Sequence, residues 1–122
     1  MDHAPRLNSL IERVADAPAP SSELFAEVWF ATTGKQHPDI KGRFAVLMDA
    51  KAWTEAALLT VACALPDWRV VTEASRGAGE ARMLPLDQVG GVPGRPGDTV
   101  WHPGGTALAI LQAMLIAKVE GR

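Results

Sequence analysis

The chain has 122 residues, enough for one domain around one core, and its 48% apolar and 21% charged composition excludes a disordered chain. A net charge of -2 gives no broad basic surface, so non-specific nucleic-acid binding is excluded as a function class. Cys63 is the single cysteine, the opening MDHAPRLNSL lacks the basic-then-apolar order of a signal peptide, and the apolar run Ala107–Ala117 falls short of the roughly 20 residues of a membrane helix. These features read as a cytoplasmic protein without disulfide or membrane span.

The first periodic segment, RLNSLIERVADA, sets Leu7, Leu10, Ile11 and Val14 at helical spacing, with Arg6, Glu12 and Arg13 on the other face. The prolines of APAP (Ala17–Pro20) end it, because they lack amide donors and bias their predecessors out of the helical region. Ser21 or Ser22 then caps a second helix with the stripe Leu24, Phe25, Val28 and Trp29, and Gly34 supplies the stop. The two N-terminal helices thus occupy 6–33.

KQHPDIKG (Lys35–Gly42) reads as an exposed loop, and RFAVLM (43–48) as a short strand or a buried extended segment. Asp49 caps a third helix over 50–65, with Trp53, Ala57, Val61 and Ala64 along one side, closed by Pro66-Asp67. WRVVTEA and EARMLPL alternate on either side of a glycine-bearing turn and form a hairpin over 68–86. The glycines and prolines of VGGVPGRPGD make Asp87–Asp98 a loop, after which Thr99–Trp101 adds a brief third strand. A last helix over 105–120 turns Leu108, Leu111, Met114 and Leu115 to the core and keeps Ile110, Ala117 and Val119 around them, so it is central or part of an oligomer contact. The expected fold is α+β, a single domain over 1–122. It takes the form of a small helix–sheet–helix sandwich with a two- or three-stranded antiparallel sheet packed between helices.

Three pieces in this order, LNSLIERVADAPAPSSELFAEVWFA, TEAALLTVACALPDWRVVTEA and GGTALAILQAMLIAK, resemble the phage ABA sandwich domain, a layered fold of short bacteriophage and prophage proteins of unassigned role. The likeness covers about half to two thirds of the chain and is carried best by the Pro66-Asp67-Trp68 junction. RFAVLM, VGGVPGRPGD and a glycine pair where proline is more usual depart from the pattern. The resemblance implies phage origin and a sandwich fold, and brings no catalytic motif with it.

Two readings compete at the start of the last helix. Gly104, Gly105 and Thr106 form a phosphate cradle closed by His102, Trp101 and the arginines Arg76, Arg82 and Arg95; or Thr106 caps the helix and the glycines make its entry turn. The lysine and spacing of a P-loop are absent. His3, His37, His102 and Cys63 show no metal-ligand spacing, and Cys63 reads as a small buried thiol. Asp39, Asp49, Glu55 and Glu73 share no helix face with a histidine or serine, so no catalytic residue and no cofactor are expected. Of the four tryptophans, Trp68 reads as core and Trp101 as a contact residue.

These features and the resemblance together imply a non-enzymatic, phage-encoded, homo-oligomeric binding protein that assembles through its helices in the host cytoplasm. It would sequester a nucleotide immune signal at the helix start. The alternatives are inhibition of a host defence protein by faces around Trp29, Trp101 and the loop, or a role in virion assembly.

Overall fold

A computed structural model describes residues 4–33, 38–75, 78–85 and 99–119. Gly34 and the loop Asp87–Asp98 lie outside the described residues. The elements run α1 (Ala4–Asp16), α2 (Ser22–Thr33), α3 (Pro38–Asp49), α4 (Trp53–Ala64), β1 (Trp68–Ser75), β2 (Ala78–Pro85), β3 (Val100–His102) and α5 (Thr106–Val119).

The amphipathic stripe of α1 is buried as its spacing requires, with Leu7, Leu10 and Val14 in the core and Ile11 packed against it. Ser21 is the cap of α2: its Oγ accepts the Leu24 N–H at 3.2 Å and its carbonyl accepts the Phe25 N–H at 3.0 Å. Helix α2 carries two buried threonines, whose hydroxyls donate back to the helix, Thr32 to the Val28 carbonyl and Thr33 to that of Trp29, both at 2.7 Å. Thr60 does the same in α4, to Ala56 at 2.8 Å. These bonds satisfy hydroxyls that burial would otherwise penalise. An exposed Arg13–Glu27 ion pair links α1 to α2.

The segment 43–48 is helical, correcting the expectation of a strand or extended run, and the helix begins inside the expected loop at Pro38. Proline at the first helical position and Asp39 in the first turn suit a helix start. With Ile40 included, the apolar positions Ile40, Phe44, Leu47 and Met48 fall at helical spacing, and Phe44 is buried while the other three pack against the core. Six residues were too short a window to show that period.

Asp49 ends α3 and does not cap α4, whose cap position is Ala52 without a side-chain hydrogen bond. The chain reverses at Lys51, φ 57°, with the Lys51 N–H on the Met48 carbonyl at 2.9 Å and the Ala52 N–H on the Leu47 carbonyl at 2.8 Å. This pair of bonds is the Schellman closure of a helix, built on a lysine where glycine is the usual residue. The far end of α4 is closed from α5 by Lys118, whose Nζ donates to the Ala64 carbonyl at 3.2 Å.

The sheet is antiparallel throughout in the order β1-β2-β3. Its register pairs Val71 with Arg82 and Glu80 with Trp101 on one face, and Val70 with Met83 and Ala81 with Val100 on the other. The second face is buried: Ala81, Met83, Val100 and His102 lie beneath α5, and α4 packs against β1. Helix α1 lies against α5, and α2 and α3 lie against α4. The α+β class and the short antiparallel sheet are as expected. The layers run sheet, α4 with α5, then the N-terminal helices, and among the described residues no helix covers the outer face.

Helix α5 is buried over most of its surface: Ala107–Leu111, Ala113–Leu115 and Ala117 are buried, while Gln112, Ile116, Lys118 and Val119 are partly exposed. It is the central element of the fold. Its first turn sits directly on β2, because a Cβ at Gly79 would fall 2.3 Å from both Cα and N of Thr106. No side chain fits there.

Gly79→Ala is therefore expected to cost about 3 kcal/mol or more, the overpacking penalty against immovable backbone. Gly42→Ala in α3, where an added methyl meets nothing within 4 Å, should gain about 0.5–1 kcal/mol from helix propensity. Lys51→Gly should gain about 1 kcal/mol by relieving the left-handed residue. Urea denaturation of the three variants measures all of these values.

Candidate functional site

The turn from β3 into α5 is organised by a histidine. His102 is 1% exposed, and its Nδ1 accepts the Gly104 N–H at 2.8 Å. An accepting Nδ1 puts the ring proton on Nε2, which donates to the Val14 carbonyl of α1 at 2.7 Å. The His102 carbonyl accepts the Gly105 N–H at 3.3 Å, and the Gly105 carbonyl accepts the Ala109 N–H at 3.2 Å as the first bond of the helix. Gly105 therefore holds the cap position and Thr106 is the first helical residue, correcting the reading of Thr106 as the cap. Gly105 has φ +117°, a conformation that requires glycine.

This geometry decides what the helix start can do. The amides of Gly104 and Gly105 are both spent on His102, and β2 closes over Thr106 through Gly79. A phosphate at this point would have to displace those bonds, so the arrangement fits an entry turn.

The other predicted residues lie elsewhere. Trp101 follows the opposite direction from His102, as successive strand residues must, and is 60% exposed on the outer face of the sheet. Arg82 shares that face and borders a shallow depression of about 180 Å³ lined by Val71, Glu80, Ala81, Arg82 and Thr99. The structure thus divides the predicted set: His102, Gly104, Gly105 and Thr106 on the core side, Trp101 and Arg82 on the open side. Arg76 and Arg95 lie outside the described residues. Val71, Glu80 and Thr99 were not singled out from the sequence, although the alternation of the hairpin combined with the β2–β3 register would have placed them beside Trp101.

Trp29 is 1% exposed and stacks on Phe44 with ring centroids 4.5 Å apart, which removes it from any contact surface. Trp53 is tilted against Phe25 at 5.1 Å, and Trp68 is half-buried against the core. Cys63 is partly buried; desolvation raises its thiol pKa against a weaker opposing pull from Arg43, so it stays protonated at neutral pH. Among the described residues no three His, Cys, Asp or Glu side chains are grouped as metal ligands, and no described helix is long and apolar enough to cross a membrane. Comparison with protein-family models, with curated proteins and with solved structures gives no match.

His102→Phe keeps an aromatic ring, somewhat larger, and removes both bonds, stranding a part-buried Gly104 N–H and weakening the tie to α1. The expected loss is about 2–4 kcal/mol in chemical denaturation. Titration of the wild-type chain with inorganic phosphate should leave the Gly104 and Gly105 amide resonances in place; a saturable shift at those amides would restore the cradle.

Proposed function

We propose that this chain is a non-enzymatic binding protein that takes a protein partner on the open face of its sheet. The observation that carries the reading is Trp101, an indole 60% exposed on a face without a helix among the described residues. Its cross-strand neighbour is Glu80, and the same face carries Arg82, the exposed Arg69 and Val71, which is 39% exposed. Tryptophan and arginine are the side chains that most often carry binding energy at protein interfaces, where a flat apolar centre is ringed by polar groups. The depression of about 180 Å³ is smaller than the roughly 300–1,000 Å³ of small-molecule sites, which favours a protein surface over a nucleotide.

The resemblance to phage sandwich proteins supports a host defence protein as the partner, met in the cytoplasm of an infected cell. Sequestration of a nucleotide signal is the second reading. It draws on Trp101 and Arg82 sharing one face of the sheet, an indole that can stack a base and a guanidinium that can hold a phosphate. Assembly into virions is a third class, which co-purification with particles would reveal.

Trp101→Ala should weaken capture of the host partner by about thirtyfold or more, with Tm unchanged because the ring contributes little to the core. Arg82→Glu should act in the same direction. Retention of the partner by both variants would move the interface off this face, and heat on titration with cyclic or linear nucleotides would favour the second reading.

A further inference from the structure

We propose that the outer edge of β1 pairs with the same edge of a second copy, joining two three-stranded sheets into one six-stranded antiparallel sheet with a twofold axis at Val71. This association does not rest on the partner reading above, although it engages Arg69 and Val71 of the same face.

Strand β1 is an edge of the sheet, eight residues long, and its pairing with β2 runs from Trp68 to Ser75 without a bulge. The opposite edge, β3, is three residues. Exposed edges are ordinarily blunted by proline, lysine, a bulge or a covering element. The sequence WRVVTEAS has neither proline nor lysine, its two charges are the opposite-signed Arg69 and Glu73, and the register has no bulge.

The backbone and the charges select the same alignment. Ser75 pairs with Ala78 across a two-residue connection, which makes that pair hydrogen-bonded and sends Arg69, Val71 and Glu73 inward to β2 for their backbone bonds. Trp68, Val70, Thr72 and Ala74 then direct their N–H and C=O groups to the open edge. The Trp68 N–H is indeed bonded away from β2, to the Leu65 carbonyl at 3.1 Å. With Val71 on the twofold axis, Val70 of each copy meets Thr72 of the other, both with outward-directed groups, so their bonds exchange.

In that alignment Arg69 of each copy is opposite Glu73 of the other. Sliding the strands by one step in either direction keeps the backbone bonding but sets Arg69 against Val71 or Ser75 and loses both charge pairs. Opposite charges directly across an antiparallel pair attract, and like charges there repel. The two Val71 side chains, each 39% exposed in the single chain, cover one another at the axis. The joined sheet presents both Trp101 rings on one continuous face, about 24 Å apart across five strand spacings and about 13 Å apart along the strands, about 27 Å in all. A twofold partner or two copies of one partner could then be held together.

Light scattering on the full chain should give twice the 13.0 kDa of one copy. Arg69→Glu, which sets like charges opposite each other twice, should weaken self-association by about tenfold or more, and adding Glu73→Arg should restore it. As an independent readout, Val71→Cys in a Cys63→Ser background should form an interchain disulfide on mild oxidation, because a non-hydrogen-bonded twofold pair sits about 4.5 Å apart at Cα, within disulfide reach. A wild-type chain that stays monomeric would overturn the proposal. So would a dimer indifferent to Arg69→Glu, or the absence of the linked species.

Discussion

Helix α5 is apolar on nearly every side, Gln112 and Lys118 being its only polar residues past Thr106, and that single fact dictates how the rest of the chain must be placed. An element apolar on nearly every side can exist in water only if other elements wall it in. Here the sheet supplies one wall, α4 a second and α1 a third. Leu108, Ile110, Leu111, Met114 and Leu115 are each 1% exposed or less, and each such side chain contributes about 1.5–3 kcal/mol on burial. The hydroxyls of Thr32, Thr33 and Thr60 can sit in this interior because each is bonded to its own helix.

The same requirement shapes the recognition chemistry. For α5 to rest on the sheet its first turn must come within backbone contact of β2, which Gly79 permits. At that helix start the amides of Gly104 and Gly105 are bonded to His102 and β2 lies against Thr106. On the face of the sheet that no described helix covers, alternation along β3 turns Trp101 outward as surely as it turns His102 inward.

Much of the fold was legible in the sequence because its signals were local and long enough to repeat. The stripe of α1, the serine cap of α2, the hairpin alternation and the all-apolar α5 were each readable from neighbours within a few positions. Helix α3 was not, because RFAVLM shows no period until Ile40 is counted and because Pro38 marks a helix start as well as it marks a loop. The boundary at Asp49 was misread since an acidic residue before an apolar run suits a cap, while the actual closure uses backbone bonds around Lys51 that leave no trace in residue type. At the site, Trp101 and His102 stand side by side in sequence and were grouped for that reason. A strand separates such neighbours onto opposite faces, and Trp29, whose environment is set by Phe44 fifteen positions on, could not be assigned from its own helix.

The bond between the Val14 carbonyl and His102 spans 88 positions, and it has a consequence for synthesis. At about 5–20 residues per second a ribosome takes on the order of 4–18 s to travel that distance. For that interval the nascent chain carries the oily stripe Leu7, Leu10 and Val14 with nothing to seat it, since its mate has yet to be made. The final collapse of the chain thus belongs to the moments after the closing helix leaves the exit tunnel.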